Sequence, residues 1–361
     1  MMTDTISLEH RYIQPEAWDQ LAVQFRDVIH EQTECFNALR WAPERLERIA
    51  FYKNGVLASG VVVLVIKFPI LKTGIAFVKW GPLWRKYDQQ FSQSEEKSIL
   101  VETVKHLRRL YAEERGLYLT FYPRADPEIS DFEVETFKSF GFTAGEELAA
   151  PDRYFVNTSV SPEEMRASLT PKWRYNLKRS EKAGVTSSLV EGEKGLEIFR
   201  SLYSEMLARK GFHDTSAVDT LEGLLQADEP ALRPLIFVAE HEGVPVCAGV
   251  TDIAGERAVS LYAGTSDQAL PLRAGYNMHW AFVTYLSTVE SNRWYDLGGA
   301  DADTQLHHFK NGFVGKIGVK PATPPYYNYG HTLKIRVIGQ LFYKARYYKG
   351  KIMRFLHDMR R

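Results

Sequence analysis

The chain has 361 residues, of which 45% are hydrophobic, and it carries 45 basic and 45 acidic side chains. This length is enough for about two domains, each with its own core. The balanced charge excludes a general attraction to nucleic acid or membranes, so any such contact depends on a local patch. The two cysteines are far apart in sequence, which predicts a cytoplasmic chain without a disulfide framework or a zinc site. The polar N-terminus predicts no export signal, and the absence of an uncharged run of about 20 residues predicts no membrane span.

Turn and strand signals in the first half predict the element order β-β-β-α-β. Asn54-Gly55 is a strong signal for a two-residue hairpin between two apolar strands. A third strand, a long helix and a fourth strand follow. The predicted elements lie at residues 48–53, 56–66, 75–80, 92–115 and 117–122.

The second half repeats this order. Glu242-Gly243 joins the first two strands, and Ala254-Gly255 turns the chain into a third. The predicted elements lie at residues 235–240, 244–252, 258–263, 274–289 and 294–297. Helical sequence precedes each set, at residues 16–30 and 194–210. We therefore interpret the chain as a duplicated α/β (α+β) domain, each copy having a mixed sheet flanked by helices.

The connector between the halves carries clear helix signals. Residues 161–164 have a capping-box sequence with a proline, and Thr170-Pro171 begins a second helix that Gly184 ends. The predicted divisions are an N-terminal domain, a C-terminal domain that carries the main site, and a proline-rich linker with a final helix, at residues 1–150, 151–320 and 321–361.

The final helix is strongly basic in an otherwise neutral chain. Its apolar residues fall on one helical stripe, which predicts an amphipathic helix. The stripe comprises Ile338, Leu341, Phe342, Ala345, Tyr348, Ile352, Phe355, Leu356 and Met359. Three interpretations are open: the helix packs on the protein and displays solvated charges, it contacts tRNA phosphates, or it makes a peripheral contact with an anionic membrane.

A second basic segment, residues 172–182, holds candidate anion ligands. Helical spacing places Arg174 and Lys178 on one face, and Lys172 and Arg179 close together on another. The amide groups at the start of this helix also point outward, which favours an anionic ligand there. The alternative is a solvated basic face.

The most informative motifs are Tyr295 to Gly299 and His308 to Phe313. A short apolar strand ends in Gly298-Gly299, and glycine lets the backbone approach a ligand closely. Lys310 then follows beside an aromatic residue. We interpret these motifs as the rim of an active site, the alternative being a β-bulge and a surface turn with a solvated lysine.

Histidines near this motif provide a candidate base and no metal site. His307 or His308 lies close enough in sequence to Lys310 to act as a base near neutral pH. No further ligand type stands at metal spacing. We expect His279 and Trp280 to be packing residues.

Four segments resemble, in the same serial order, motifs of the Fem family (FemABX) of nonribosomal peptidyltransferases. Residues 170–185 resemble the basic helix that opens that family's second domain, and residues 260–266, 295–299 and 309–313 resemble its later motifs. The resemblance covers most of the chain. It implies two tandem GNAT-like (N-acetyltransferase-like) domains, in agreement with the duplication. It also implies transfer of an aminoacyl group, carried as an ester on tRNA, to the amine of a peptidoglycan precursor. Related bacterial proteins with the same signature use other acyl donors.

The resemblance also implies roles for individual residues. Lys310 matches the lysine of the family's Phe-Lys motif, which stabilises the charge that forms as an amine attacks a carbonyl. Arg209 matches an arginine that contacts precursor phosphates, and Tyr262 matches a tyrosine that lines the substrate channel. The alternatives are an exposed arginine at a helix end and a packed strand tyrosine. The predicted site is catalytic Lys310 with the substrate-binding residues Phe309, Tyr262, Arg209, Lys172, Arg174 and Arg273.

The segment from Leu272 to Asn277 departs from the loop by which acetyltransferases of this fold hold coenzyme A. It has one glycine and a bulky Tyr276, so its backbone cradle for a pyrophosphate is weak. A coenzyme A donor is therefore disfavoured and not excluded.

Three functions from different classes remain open. The preferred hypothesis is a cytoplasmic N-acyltransferase of the Fem-like group that acts on an envelope precursor. It uses aminoacyl-tRNA as a co-substrate and has no tightly bound cofactor, metal or stable protein partner. The runner-up uses acyl-CoA or an acyl carrier to modify an amino sugar or peptide in polysaccharide or envelope synthesis. The third is a catalytically silent protein that binds tRNA or a membrane surface.

Overall fold

A computed structural model describes residues 6–145, 151–211, 216–300 and 304–358, with side chains described as far as Lys349. The chain divides into two compact units. The first comprises Met1–Ala150 with Thr323–Arg361, and the second comprises Pro151–Ala322. The residues predicted as a linker and final helix therefore belong to the first unit. Each unit has a mixed sheet flanked by helices, which confirms the predicted fold class.

The first unit is built on one sheet. Its strands, numbered along the chain, are β1 (Glu9–Tyr12), β2 (Leu46–Lys53), β3 (Val56–Phe68), β4 (Thr73–Lys79), β5 (Tyr118–Tyr122), β6 (Thr143–Gly145) and β13 (Tyr326–Tyr329). Its helices are α1 (Pro15–Ala22), α2 (Glu34–Arg40), α3 (Gln93–Leu107), α4 (Ser130–Ser139) and α12 (Leu333–Asp358). Within the described residues the strand order is β1-β2-β3-β4-β5-β13-β6.

The local turn and helix-cap signals that the sequence indicated in the first unit are present in the structure. Asn54 and Gly55 both have positive φ, of 51° and 79°, as a two-residue hairpin between twisted strands requires. Ser92 and Glu95 form a complete capping box at the start of α3. The parallel strands β4 and β5 then pair from Ile75 opposite Tyr118 to Lys79 opposite Tyr122, so this pair stays closed to its end.

Two elements of the first unit differ from the prediction. The helix predicted at residues 16–30 ends at Ala22, because the following segment pairs with another part of the chain. Phe25 forms an isolated β-bridge with Lys86, and the carboxylate of Asp27 accepts backbone hydrogen bonds from Trp84 at 3.1 Å and Arg85 at 3.3 Å. The second difference is β13, which lies in the segment predicted as irregular and pairs with both β5 and β6.

The final helix of the first unit divides its apolar residues between two faces. Phe342 packs on Phe68 with ring centroids 5.5 Å apart, and Tyr343 is buried, whereas Leu341 and Tyr348 are exposed. The predicted stripe is therefore only partly covered by the protein in the part whose side chains are described. The side chains of residues 350–358 and the whole of Met359 lie outside that part. Among the described residues, no helix combines the length and apolar composition needed to cross a bilayer.

The second unit repeats the β-β-β-α-β order. Its strands are β7 (Arg153–Asn157), β8 (Thr186–Leu189), β9 (Leu235–His241), β10 (Val244–Asp252), β11 (Arg257–Thr265) and β12 (Trp294–Gly299). Its helices are α5 (Pro162–Ser168), α6 (Pro171–Lys182), α7 (Gly192–Lys210), α8 (Leu221–Leu225), α9 (Ala269–Leu272), α10 (Ala274–Leu286) and α11 (Gln305–Val314). The strand order over the described residues is β7-β12-β11-β10-β9-β8.

Helices cover both faces of the second sheet. Phe237 on β9 faces the cluster that contains Trp173 of α6 and Phe282 of α10. Its neighbours Ile236 and Val238 face the opposite cluster, which contains residues of α7. This alternation follows from the two-residue period of a strand and divides the core of the unit into two layers.

The parallel strands of the second unit separate, in contrast to those of the first. Strands β11 and β12 pair from Arg257 opposite Trp294 only as far as Val259 opposite Asp296. The pairing of β12 with β7 shifts register between Asp296 and Gly299, where Gly298 has a φ of 74°. This β-bulge turns the end of β12 away from the ladder. The second unit therefore has an opening between its two parallel strands.

Candidate active site

The late Phe-Lys motif lies on a helix, α11, and not on a turn. The side chain of Thr304 caps the helix by accepting a hydrogen bond from the backbone N–H of His307 at 3.1 Å. Gly312 allows α11 to lie against α6, since a Cβ at this position would stand 2.9 Å from Oγ1 of Thr170 and 3.1 Å from Cδ1 of Trp173. The turn suggested by the glycines is thus overridden by helix packing.

Aromatic rings from three helices form a wall beside the motif. Trp173 of α6 stacks on Phe313 of α11, with ring centroids 4.3 Å apart and planes 3° from parallel. Tyr276 of α10 meets Phe309 edge to face at 4.9 Å and Trp173 at 5.0 Å. Phe309 also contacts His279 at 5.4 Å. These packed rings restrict the access of water to Lys310 from the side on which Phe309 lies.

The ammonium group of Lys310 is held at the end of β12. Its Nζ donates a hydrogen bond of 2.8 Å to the carbonyl of Gly299, and a Cβ built at Gly298 would lie 3.7 Å from Nζ. Burial lowers the pKa of Lys310 to about 8, and the carboxylate of Asp296 acts in the opposite direction. The glycines themselves are required by a φ of 74° at Gly298 and by Pro151, whose Cγ would lie 2.5 Å from a Cβ at Gly299, so the predicted close approach of a ligand stays a prediction.

Behind this lysine lies a buried carboxylate network. Both oxygens of Asp296 accept hydrogen bonds from Nε of Arg153, at 2.8 and 3.1 Å, and Nε of Arg257 lies 3.7 Å away. The backbone N–H of Gly298 donates to the same carboxylate at 2.8 Å. Asp296 thus ties the bulge to two arginines and fixes the point at which Lys310 is anchored.

Tyr295 and His279 add neutral polar groups next to Lys310. The Tyr295 hydroxyl lies 3.2 Å from Nδ1 of His279 and 3.5 Å from the hydroxyl of Thr251. Burial, followed by the charge of Lys310, lowers the pKa of His279 to about 3, and burial raises the pKa of Tyr295 to about 12. At neutral pH the imidazole near Lys310 is therefore uncharged, and so is the phenol of Tyr295 that contacts this imidazole.

The structure places the other predicted ligands at different points of the unit. Arg174 donates to the carbonyls of Ala167 and Leu169, at 2.9 and 2.6 Å, and so closes the end of α5. Lys172, two residues earlier on α6, is exposed. Arg273 is exposed in the left-handed conformation, with φ of 56°, immediately before α10.

Tyr262 and Arg209 lie on the α7 side of the sheet. The ring of Tyr262 packs 6.3 Å from that of Phe199. Arg209 donates to Asp267 and to Thr265, both at 2.8 Å. Lys310 and Phe309 lie on the α6–α10 side, so the structure does not bring these two pairs into one packed cluster. Both Tyr262 and Arg209 do adjoin the part of β11 that β12 leaves unpaired.

Sequence reasoning missed the residues that surround the lysine. It assigned His279 to packing, and it quoted Tyr295 and Asp296 without giving them a role. An acidic residue within an apolar strand, two positions before a glycine pair, was the available signal for Asp296. Nothing local marks Arg153, because its contact with Asp296 joins residues 143 positions apart. The candidate bases His307 and His308 lie elsewhere, since Nδ1 of His307 bonds to the hydroxyl of Tyr154 and His308 is exposed.

The second unit thus combines a parallel strand pair that opens with a half-buried lysine beside the opening. No protein-family profile matches the chain. No curated protein matches it either. The crystal structure of FemX superposes with a TM-score of 0.72 at 14% identity, over 93% of this chain and 100% of FemX.

Two further solved structures share the fold. A C-terminal domain assigned to a lysylphosphatidylglycerol synthetase of Agrobacterium fabrum has a TM-score of 0.55 at 13% identity, over 91% of this chain and 97% of that domain. L-PGS from Bacillus licheniformis has a TM-score of 0.51 at 14% identity, over 92% of this chain and 95% of L-PGS. The chain therefore has the FemABX-like tandem GNAT fold, which confirms the resemblance at the level of structure.

Proposed function

We propose that this chain is an N-acyltransferase that transfers an aminoacyl group from aminoacyl-tRNA to an amine of a cell-envelope precursor, such as a peptidoglycan precursor. The observation that carries the proposal is the position of Lys310. Its ammonium lies in a half-buried site at the open end of β12, anchored to the Gly299 carbonyl and bordered by aromatic rings.

The reaction needs little beyond positioning and charge stabilisation. The acceptor amine attacks the ester carbonyl, a C–N bond forms, and negative charge develops on the carbonyl oxygen. The C–O bond to the tRNA ribose then breaks, and the proton lost by the amine ends on the departing hydroxyl. Lys310 supplies the positive charge that the oxyanion requires, and a fixed cation in a poorly hydrated site stabilises such charge strongly.

The environment suits this role. The pKa of about 8 leaves Lys310 mostly charged at pH 7, while burial reduces the screening of its field by water. Because His279 is neutral, it adds no second positive charge that would compete with Lys310 for the oxyanion. The charge of Asp296 helps to hold the proton on Lys310. Within the described residues Nζ donates to the Gly299 carbonyl, which leaves further N–H groups of the ammonium available to a substrate.

The other predicted substrate-binding residues stay proposals, and each would meet a substrate under a different condition. A substrate phosphate at Arg209 has to replace or join the carboxylate of Asp267, to which the guanidinium is bonded. Arg174 is committed to two backbone carbonyls, so Lys172 and Arg273, both exposed, are the better candidates for contacting an anionic substrate. Tyr262 is proposed to line the channel along the unpaired part of β11.

An aminoacyl donor is favoured by the solved structures that share the fold. One of them is the C-terminal domain named for a lysylphosphatidylglycerol synthetase. An activated aminoacyl group is therefore a reasonable donor class for this fold. The acceptor follows from the resemblance to FemABX motifs in the sequence.

A second candidate is an acyl-CoA-dependent or acyl-carrier-dependent N-acyltransferase that modifies an amino sugar or a peptide. The observation in its favour is the exposed start of α10, a helix of 13 residues. Arg273 precedes this helix, and a Cβ at Gly275 would have no neighbour within 4 Å. Such a helix N-terminus offers amide groups to a pyrophosphate.

A donor test by mass spectrometry distinguishes these functions. Purified protein is incubated with peptidoglycan precursors and either charged total tRNA or an acyl-CoA mixture. A mass gain of one amino-acid residue that requires charged tRNA and disappears in Lys310→Met supports the proposal. A gain that requires acyl-CoA supports the second candidate. Salt-sensitive tRNA binding without product, unchanged in Lys310→Met, supports a non-catalytic binding protein and contradicts both.

A further inference from the structure

Helix α12 has an apolar face that the first unit leaves uncovered. Its inner face is anchored by Ile335 and Tyr343, which are buried. Its outer face carries Leu333, Val337 and Leu341, spaced four residues apart and therefore aligned along the helix. Leu333 is 75% exposed and Leu341 is 61% exposed. A helix already fixed on one side thus presents a second apolar stripe outward.

The β3–β4 hairpin extends this stripe. Ile70, at the tip of the turn Pro69–Leu71, is 97% exposed, and the neighbouring Leu71 is also exposed. Nζ of Lys334 donates a hydrogen bond of 3.2 Å to the carbonyl of Leu71, which ties the hairpin tip to the first turn of α12. Ile70, Leu71, Leu333, Val337 and Leu341 therefore belong to one surface, here named the outer patch.

The outer patch has a basic border without a carboxylate. Residues 333–349 contain five cations and no Asp or Glu, and the hairpin turn at residues 69–72 adds Lys72 without an acid. The border comprises Lys72, Lys334, Arg336, Lys344, Arg346 and Lys349. This local excess stands out in a chain whose total charge is balanced.

We propose that the outer patch docks the protein on the surface of an anionic lipid bilayer. Exposed aliphatic side chains flanked by long cationic side chains are the pattern of interfacial contact, because the aliphatic groups enter the headgroup region while lysine and arginine reach the phosphates. Helix α12 lies along this surface, and Ile70 enters it from the hairpin tip.

The charge pattern favours a bilayer over the other occupants. A second copy of the chain docked through the same patch places basic border against basic border, which is repulsive. A nucleic acid would use the cations and would leave the aliphatic stripe exposed. An anionic membrane surface satisfies both parts of the patch. This inference is independent of the reaction proposed above.

Vesicle flotation tests the docking surface. Full-length protein is mixed with vesicles of equal parts phosphatidylglycerol and phosphatidylcholine, or of phosphatidylcholine alone. We expect binding to the anionic vesicles that weakens with salt, and little binding to the neutral ones. Ile70→Asp and Leu333→Asp should each weaken binding about tenfold or more, because each removes a membrane-inserted aliphatic group and adds a negative charge.

The variants are chosen to leave the fold intact. Ile70 has almost no protein contacts to lose, and an acidic residue at Leu333 lies in the first turn of α12, where it is favourable to the helix. Leu39→Asp on α2 is the matched control, since Leu39 is 45% exposed and distant in sequence from the patch. Thermal unfolding of all three variants should match that of the wild type.

Several outcomes would overturn the proposal. Unchanged vesicle binding by both Ile70→Asp and Leu333→Asp excludes the patch, and an equal loss in Leu39→Asp makes the effect one of net charge. A wild-type dimer in light scattering that Ile70→Asp converts to a monomer assigns the patch to self-association. Binding to tRNA in place of vesicles, unaffected by Ile70→Asp, assigns the basic border to nucleic acid.

Discussion

Replacing Lys310 by Met should change activity and stability in opposite directions. Met keeps an unbranched chain of similar length and fills the same space between Phe309 and the end of β12. The variant lacks the charge that stabilises the oxyanion, so the transfer rate should fall about 10²-fold to 10³-fold, the usual effect of removing one such group. The same change should make the folded protein more stable.

The size of the stability gain follows from the environment of the ammonium. Burial lowers the pKa of Lys310 from the ordinary 10.5 to about 8. A tenfold change in proton affinity corresponds to about 1.4 kcal/mol, which sets an upper limit of about 3 kcal/mol for the cost of keeping this lysine charged. Solvent reaches part of the side chain, so we expect Lys310→Met to raise the free energy of unfolding by about 1–2 kcal/mol at pH 7.

The gain has a defined pH dependence. Below about pH 8 Lys310 is protonated in both the folded and the unfolded wild type, and the full cost is present. Between about pH 8 and 10.5 the folded state releases its proton before the unfolded state does, so the wild type becomes more stable with rising pH. The advantage of the Met variant should therefore be present at pH 7 and disappear above about pH 10.5.

Urea unfolding at several pH values and the mass-spectrometric transfer assay measure the two effects. Lys316→Met is the matched control, because Lys316 is an exposed lysine just beyond α11 and should affect neither quantity. Full activity in Lys310→Met refutes the catalytic role. A destabilised Lys310→Met shows instead that the hydrogen bond to Gly299 is structural and outweighs the cost of burying the charge.

Three further predictions concern the surroundings of Lys310. The first uses the ratio of the wild-type transfer rate to that of Lys310→Arg at each pH, which removes the titration of the acceptor amine. This ratio should fall above about pH 8, because Lys310 loses its proton there. A ratio that rises above about pH 8 would show that the neutral lysine is the active form. Asp296→Asn should move this fall to lower pH, since the carboxylate helps to hold the proton on Lys310. It should also lower the free energy of unfolding by about 3–5 kcal/mol in denaturant titrations, because Arg153 loses its buried partner. Arg174→Ala should lower the free energy of unfolding by about 1 kcal/mol and leave KM unchanged, because Arg174 bonds to two backbone carbonyls. Lys172→Ala should leave the free energy of unfolding unchanged. A raised KM without loss of stability in Arg174→Ala would instead show that Arg174 binds substrate.

Much of the fold was accessible from the sequence because its signals are local. The hairpin at Asn54-Gly55 and that at Glu242-Gly243 depend on residues that tolerate positive φ, and both are present. The capping box at Ser161 forms as expected. Strand β13 was missed because its four residues gain their hydrogen bonds from β5 and β6, which lie about 180 to 210 residues earlier in the chain.

The candidate site was predicted less completely, and a bulge explains one part of this. The register of β10 and β11 shifts between Val250 and Thr251, so that Tyr262 pairs with Val250 and Ser260 pairs with Thr251. A one-residue shift reverses the direction of every later side chain. The alternation that places Tyr262 on the α7 side, away from Lys310, is therefore not readable from the sequence of β11.

The two units show how one element order leads to two different sites. In the first unit β4 and β5 remain paired to their ends, and the cation that follows β5, Arg124, is fully enclosed. It lies 3.4 Å from Asp27 and 3.3 Å from Glu133, and burial raises the pKa of Glu133 to about 7. In the second unit a glycine bulge ends the pairing of β12, and the cation that follows is half-buried and bonded to a single backbone carbonyl.

The difference is chemical as well as geometric. Arg124 is paired with two carboxylates and donates hydrogen bonds to the backbone carbonyls of Asp27 and Pro82. Its charge is therefore not available to stabilise a transition state. Lys310 keeps its charge near an opening, at the cost of stability expressed in its lowered pKa. In a duplicated fold this loss of stability is confined to one copy, because the other copy keeps its parallel strands paired and has no opening between them. The physical state of this cation therefore supports the proposal that the reactive centre lies in the second unit, independently of the motif that first drew attention to it.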